Sequence, residues 1–216
     1  MKDTIQDLRL PLDEATARAL KLGQMVTVSG LLFTGRSRFH IRAITENILP
    51  PLDFRQINSF FHVGPVMRQD ADGWRIVSIE PTSSIRFERY SPDVVKRLKL
   101  RLLIGKTTMG PGTAAALREV GGVHLSKIGV CGNQLAGQVR RVCAHYFLEE
   151  LGTTEATWVF EVDKFGPFFV DMDARGNNYF QTLNDEVEAR SAQVNARLGI
   201  PSDFTPTDVR ARVSVQ

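Results

Sequence analysis

Met25-Val26-Thr27-Val28-Ser29-Gly30-Leu31-Leu32-Phe33 is a run of β-branched and apolar residues that predicts a buried strand. Thr34-Gly35-Arg36 follows it directly, so a glycine and a cation come immediately after the strand. On either side of this stretch, further segments have strand-like or helix-like patterns. Strands are predicted at residues 8–12, 25–33, 59–63, 74–79, 101–104, 123–126, 157–162 and 167–172. Helices are predicted after Asp13 and at residues 39–49, 92–98, 113–120, 135–142 and 183–198.

The order of these segments mixes strand–helix units with strand–strand units. That mixture predicts an α/β domain with a mixed sheet and flanking helices, because a purely doubly wound fold would alternate strictly. Residues 69–73 and 175–178 have the composition of turns. We expect one domain over residues 1–201 and a loosely ordered tail over residues 202–216.

Three cations stand in separate loops that follow strand-like runs. They are Arg36, Arg86 in the segment Pro81-Thr82-Ser83-Ser84-Ile85-Arg86, and Lys106 in Ile104-Gly105-Lys106-Thr107. The middle loop also carries the hydroxyl groups of Thr82 and Ser83. Three fixed positive charges and a hydroxyl group predict a site for a small carboxylate with more than one negative charge.

Each motif also has a simpler interpretation. Residues 81–86 can be a helix cap with a solvated arginine, or an arginine clamp beside a hydroxyl that carries a proton. Gly105-Lys106-Thr107 is not a P-loop, because that motif needs a glycine where Leu100 stands. It can be an ordinary joint with an exposed lysine, or a site where the helix beginning near Gly110 favours an anion.

Composition and charge exclude several classes of protein. The chain has 216 residues, is 43% hydrophobic and carries a net charge of +3, which is spread along the sequence. Its densest basic cluster, residues 96–101, alternates with leucines, so we predict a helix end there and no nucleic-acid partner. No apolar run approaches the roughly 20 residues of a membrane helix, and no apolar signal core opens the chain. We therefore expect a soluble, cytoplasmic protein without a membrane partner.

The cysteines and histidines predict no metal site on this chain. Cys131 and Cys143 are far from a C-x-x-C spacing, and the four histidines are scattered. An iron–sulfur cluster usually needs three or four cysteine ligands, which this chain lacks. We expect both cysteines to be buried in a reducing compartment.

Taken together, the motifs resemble the β subunit, or C-terminal domain, of the class I iron–sulfur fumarate hydratase and L(+)-tartrate dehydratase family. The resemblance covers residues 8–180 approximately. The matching segments are Ser29-Gly30, Thr34-Gly35-Arg36 with His40, His62-Val63-Gly64-Pro65, Thr82-Ser83-Ser84-Ile85-Arg86, Gly105-Lys106, Met109-Gly110-Pro111, Glu150-Leu151-Gly152, Glu155-Ala156-Thr157-Trp158-Val159, Phe165-Gly166-Pro167, Asp173 and Gly176-Asn177-Asn178.

This resemblance implies a swivelling β/β/α domain that forms half of a hydro-lyase acting on a small dicarboxylate. L-tartrate, dehydrated to oxaloacetate, and malate/fumarate are the substrates implied. Arg36, Arg86 and Lys106 match the family's carboxylate binders, Thr82 matches its base, and Ser83 is the neighbouring hydroxyl. The resemblance also implies an α subunit carrying a [4Fe–4S] cluster that this chain does not ligate, in an α2β2 heteromer.

Five positions depart from the family's usual residues: Ser37 for an acid, Glu80 for glycine, Ser83 for threonine, Phe87 for methionine and Thr107 for glycine. Thr107 would be strained if its position required a positive φ angle. These departures leave an alternative open, in which the chain is a divergent, non-catalytic paralogue that binds an organic acid or regulates a partner.

Overall fold

The structure is a computed structural model that describes residues 5–127, 129, 131–201 and 203–204. It divides into two compact units, Met1–Tyr179 and Phe180–Gln216. The second unit contains most of the helix Tyr179–Arg197. Gly199, which follows this helix, has a φ angle of +69°. The predicted division into residues 1–201 and 202–216 stays a prediction, since residues 202 and 205–216 lie outside the described part.

The elements follow in this order along the chain. The strands are β1 (Gln6–Arg9), β2 (Met25–Gly35), β3 (Ser59–His62), β4 (Val66–Asp70), β5 (Gly73–Ser78), β6 (Leu102–Gly105), β7 (Val123–Lys127), β8 (Val139–Tyr146) and β9 (Thr157–Met172). The α-helices are α1 (Glu14–Ala19), α2 (Ser37–Ile41), α3 (Ser91–Leu98), α4 (Pro111–Val120), α5 (Gly132–Ala136), α6 (Leu148–Glu155) and α7 (Tyr179–Arg197). A π-helical turn (Arg42–Glu46) extends α2, and a 3-10 turn (Ser84–Phe87) precedes α3.

Five strands close into a barrel-like mixed sheet. β2, β3, β6 and β7 pair in parallel in that order. β9 then pairs antiparallel with both β7 and β2, which closes the ring. One link in this closure is a hydrogen bond from the Trp158 amide to Thr34 Oγ1 at 3.1 Å. The predicted α/β class with a mixed sheet and flanking helices is confirmed.

The two faces of the barrel strands pack into two apolar clusters. Two consecutive residues of β3 belong to different clusters, because successive side chains of a strand point to opposite faces. Phe61 packs with Ile104, Leu125 and Phe168 in one cluster. Phe60 packs in the other, which includes Val95 of α3 and Leu117 of α4.

Two sequence predictions about the last strands are wrong. The helix expected at residues 135–142 is the end of α5 followed by β8, an edge strand whose pairing with β9 is shifted twice. Leu135, Val139 and Val142 have a helical spacing in the sequence although the first lies in α5 and the other two in β8. The strand pair expected at 157–162 and 167–172 is the single strand β9, which bends at Lys164 (φ +48°) and Gly166 (φ +140°).

Both cysteines are exposed, so the prediction that they are buried is also wrong. Cys131 is the residue before α5, and Cys143 lies on the edge strand β8. Neither position lies in the apolar clusters that fill and surround the barrel. Over the described ranges, no helix is long and apolar enough to cross a membrane.

Candidate active site

The site lies where the carboxyl ends of the parallel strands meet. β2 ends immediately before Arg36, and β6 ends immediately before Lys106. Parallel neighbours end at the same edge of a sheet, so these two cations lie on one edge. The loop after β5 lies at the same edge of the sheet. The Thr82 amide in this loop donates to the carbonyl of His62, the last residue of β3, at 2.8 Å.

The three loops enclose an open cleft of about 490 Å³. Its lining residues are Arg36, Gly64, Glu80, Pro81, Thr82, Ser83, Arg86 and Lys106. All five site residues predicted from the sequence therefore line one cleft, although they come from three separate loops. Their roles in binding and catalysis stay predictions.

Arg86 folds back over its own turn onto the hydroxyl residues. Its Nη2 donates to Thr82 Oγ1 at 2.6 Å, and its Nε donates to the Ser83 carbonyl at 3.2 Å. The guanidinium itself is exposed to solvent. A positive charge is therefore fixed beside the Thr82 oxygen, where it stabilises negative charge on that oxygen.

Arg36 is oriented by groups that the sequence analysis did not assign. Glu155, at the end of α6, lies 3.6 Å from Arg36 Nη1 and also accepts from the Arg38 amide at the start of α2. A side chain at Gly64 would lie 2.5 Å from Arg36 Cδ, so glycine is needed for this arginine to pass. Glu155 was among the family-like motifs, but its role was not visible without the fold.

Lys106 is exposed, and no ion pair involves it among the described residues. The nearby N-terminus of α4 was predicted to favour an anion. In the structure it binds a carboxylate of the same chain, that of Glu88. The Glu88 carboxylate accepts from the Gly110 amide at 2.8 Å and the Thr113 amide at 3.0 Å. Glu88 thus ties the Arg86 loop to α4, and this helix end is filled by a side chain of the protein.

Comparison with known proteins identifies the family. The family model described as fumarase C-terminus matches residues 2–183. This chain belongs to that family. Its members include hydro-lyases of the L(+)-tartrate dehydratase and class I fumarate hydratase types, so the resemblance inferred from the motifs is confirmed.

Three relatives illustrate the match to the fumarase C-terminal family. A provisionally named L(+)-tartrate dehydratase subunit beta from Methanocaldococcus jannaschii is 34% identical over 82% of this chain and 91% of the relative. The L(+)-tartrate dehydratase subunit beta of Escherichia coli K12 is 31% identical over 79% of this chain and 84% of its own. A provisionally named class I fumarate hydratase from Geobacillus stearothermophilus is 36% identical over 86% of this chain, which spans only 35% of that protein.

Thr107 departs from the family's usual glycine without backbone strain. It is absent from the described residues with positive φ, so the strain considered from the sequence does not arise. Its hydroxyl oxygen instead accepts from the Ser84 amide at 3.1 Å and the Ile85 amide at 3.4 Å. Thr107 therefore fastens the start of the 3-10 turn that carries Arg86.

Three of the other departures also have structural partners. Glu80 pairs with Lys127, with 2.5 Å between Oε1 and Nζ. Phe87 is buried and stacks on His40, with 4.5 Å between the ring centroids. Ser37 begins α2 without an acidic residue in the first turn, and Glu155 supplies a carboxylate there from another part of the chain.

Beneath the three loops lies a row of buried polar side chains, His40, His62, His124 and Asp171. His40 Nδ1 donates to the Arg36 carbonyl at 2.9 Å, and His124 Nδ1 donates to Asp171 Oδ1 at 2.6 Å. Burial lowers the pKa of His40 to about 4 and holds the pKa of His62 well below its usual value. Both imidazoles are therefore neutral near pH 7.

Gly105 is the point where this row touches two site loops. A Cβ at Gly105 would lie 2.0 Å from Ser84 Oγ and 2.8 Å from His124 Nε2. Ser84 follows Ser83 in the cleft, and Lys106 follows Gly105. The position of the cleft cations thus depends on close packing at a residue without a side chain.

The described residues do not fit an iron–sulfur cluster as ligands. No group of three or more His, Cys, Asp or Glu side chains able to hold a metal ion occurs in the described part of the chain. His40 and His62 contact the Phe87 ring, His124 is hydrogen-bonded to Asp171, and both cysteines are exposed and outside the cleft lining.

Proposed function

We propose that this chain is the β subunit of a hydro-lyase that adds water to, or removes water from, a small dicarboxylate. The observation that carries the proposal is the convergence of Arg36, Thr82, Ser83, Arg86 and Lys106 on one cleft. L-tartrate, dehydrated to oxaloacetate, and malate/fumarate are the proposed substrates, in keeping with the names of the relatives.

Each cleft residue has a role suited to its chemistry. Arg36, Arg86 and Lys106 bind the two carboxylates, since guanidinium and ammonium groups offer several donors to an anion. The Thr82 hydroxyl removes the proton from the carbon next to a carboxylate, while Arg86 stabilises negative charge on the Thr82 oxygen. Ser83 supplies the neighbouring hydroxyl of this proton-transfer group.

The cations act mainly as the reaction proceeds. Removal of that proton builds negative charge on the adjacent carboxylate, and fixed donors stabilise the charge as it develops. Glu155 holds Arg36, and Glu88 and Thr107 hold the turn that carries Arg86, so these two donors need little reorganisation at that moment.

A β subunit implies an α subunit, and we propose that the α chain closes over the open cleft in an α2β2 heteromer. The exposure of Arg86 and Lys106 supports this, because such donors are most effective once water is excluded. The [4Fe–4S] cluster is proposed on the α subunit, and this chain supplies carboxylate binding and proton transfer. The domain is proposed to be of the swivelling β/β/α type.

The test is anaerobic co-expression with the α-type chain and spectrophotometric assay of L-tartrate, L-malate and fumarate, with Arg86→Ala beside the wild type. Turnover of one substrate that is lost in the variant supports the proposal. Absence of turnover with every substrate, despite a fully loaded cluster, overturns it.

The alternative of a non-catalytic paralogue keeps one supporting observation, an acidic residue, Glu80, in the lining of a cationic cleft. Thr107 no longer favours it, because that residue is unstrained and hydrogen-bonded. Binding of a dicarboxylate by the complete complex without turnover would favour this alternative.

A further inference from the structure

Glu80 is an acidic residue in the lining of a cleft whose other polar side chains are cations and hydroxyl groups. Among the described residues that line the cleft, Glu80 alone has a side chain that only accepts hydrogen bonds when ionised. A negative group there opposes the binding of an anion at that point. Its presence in a site built for dicarboxylates therefore requires a separate chemical explanation.

The position of the Glu80 side chain is fixed by contacts with the rest of the chain. Its Oε1 pairs with the ammonium of Lys127, whose side chain is only 6% exposed. The Glu80 stem packs at Gly132, where an added Cβ would lie 3.0 Å from Glu80 Cγ. The Ile79 amide also donates to the Gly132 carbonyl at 3.3 Å, which fixes the chain just before Glu80.

One oxygen of this fixed carboxylate remains available. The Glu80 side chain is 28% exposed, and Oε2 has no hydrogen-bond partner among the described residues. A residue that lines the cleft together with Thr82, Arg86 and Lys106 therefore retains an unpaired acceptor oxygen. A hydroxyl group on a bound dicarboxylate satisfies such an acceptor, whereas a hydrogen atom or a third carboxylate does not.

We propose that Glu80 is a specificity-determining residue, which accepts a hydrogen bond from a substrate hydroxyl other than the one eliminated. It thereby favours a dihydroxy-dicarboxylate such as L-tartrate over a monohydroxy one such as L-malate, and it disfavours tricarboxylates. This inference rests on the proposed function. This chain provides its own acceptor at a position where the resemblance implies a glycine.

The test compares Glu80→Gln with the wild type in the assembled, cluster-loaded complex. We expect the ratio of kcat/KM for L-tartrate to kcat/KM for L-malate to fall about tenfold, because the amide is a weaker acceptor and can turn its donor toward the hydroxyl. Binding of propane-1,2,3-tricarboxylate, measured by calorimetry, should become tighter in the same variant. A general loss of structure would lower both the turnover of L-tartrate and the affinity for the tricarboxylate. A lower preference for L-tartrate together with a higher tricarboxylate affinity therefore identifies an effect on specificity.

Two further variants keep the result interpretable. Glu161→Gln removes a glutamate that pairs with Arg141 at 2.9 Å outside the cleft, and it should leave the substrate ratio and the tricarboxylate affinity unchanged. Glu80→Gln combined with Lys127→Met avoids leaving a buried ammonium unpaired, and it should show the same change of specificity. An active wild type whose substrate ratio and tricarboxylate affinity do not respond to either Glu80 variant overturns the inference alone. A wild type without turnover overturns the proposed function, and the inference falls with it.

Discussion

The guanidinium of Arg86 donates to the hydroxyl oxygen of Thr82 over 2.6 Å, within a single turn of the chain. Arg86→Ala should lower kcat/KM by about a hundredfold or more, since it removes a fixed donor from the transition state. Arg86→Lys should recover only part of this loss, because lysine lacks the planar fork. The melting temperature should barely change, since the side chain is exposed. Arg89→Ala, which removes a nearby exposed arginine outside the cleft, is the control and should stay fully active.

Thr107→Val should destabilise the protein by about 1 kcal/mol, because the Ser84 and Ile85 amides lose the oxygen that caps their turn. For a chain of this size that corresponds to a fall in melting temperature of about 2–4 °C. Thr107→Ser keeps the acceptor and should behave like the wild type. Thr107→Gly should also lower activity, and a more active glycine variant would show that the hydroxyl does not hold the loop.

Gly105→Ala should cost about 1–3 kcal/mol, since the new methyl group would overlap Ser84 Oγ and crowd His124 Nε2. Gly137→Ala is a matched control, because its φ is −67° and its nearest neighbour would be 3.5 Å away. Urea unfolding of both variants measures the difference directly. Equal stability of the two variants would contradict the close packing described at Gly105.

Stability should fall as the pH drops from about 6.5 toward 4. The pKa of His40 is about 4 in the folded protein and near 6.5 in the unfolded chain, so the unfolded state binds more protons across this window. His62, whose pKa is also lowered by burial, acts in the same direction. The His40 shift corresponds to about 3 kcal/mol.

Urea unfolding at pH 7, 6 and 5 measures this slope, with His40→Asn for comparison. The variant should show a smaller loss of stability on acidification, while retaining a donor toward the Arg36 carbonyl. A slope that is the same with and without His40 would show that its burial is not linked to folding.

Much of the fold was predictable because most residues of the barrel strands are apolar and buried. The run at 25–33 had to be buried. Arg36 and Lys106 had to share an edge once β2 and β6 were both parallel to β3, the strand between them. The Arg86 loop was harder to place, since it follows β5, which lies in a separate two-stranded sheet. The resemblance to a family supplied that link, and the Thr82–His62 hydrogen bond explains it physically.

What could not be predicted depends on partners far apart in sequence. His124 and Asp171 are 47 positions apart, and each alone has the pattern of an ordinary strand residue. Glu88 is an unremarkable surface acid until α4 is placed beside it. β8 was mistaken for a helix because two register shifts break its alternation, and local spacing cannot reveal a shift that only pairing with β9 creates.

The closure of the barrel by β9 has a consequence for the order of folding. Thr34 and Trp158, joined by a hydrogen bond, are 124 positions apart, so the ring forms through contacts of long sequence separation, which form slowly. During synthesis the strands that carry Arg36 and Lys106 emerge long before the strand that joins their sheet into a ring. The cleft therefore acquires its shape only after residues 157–172 have left the ribosome.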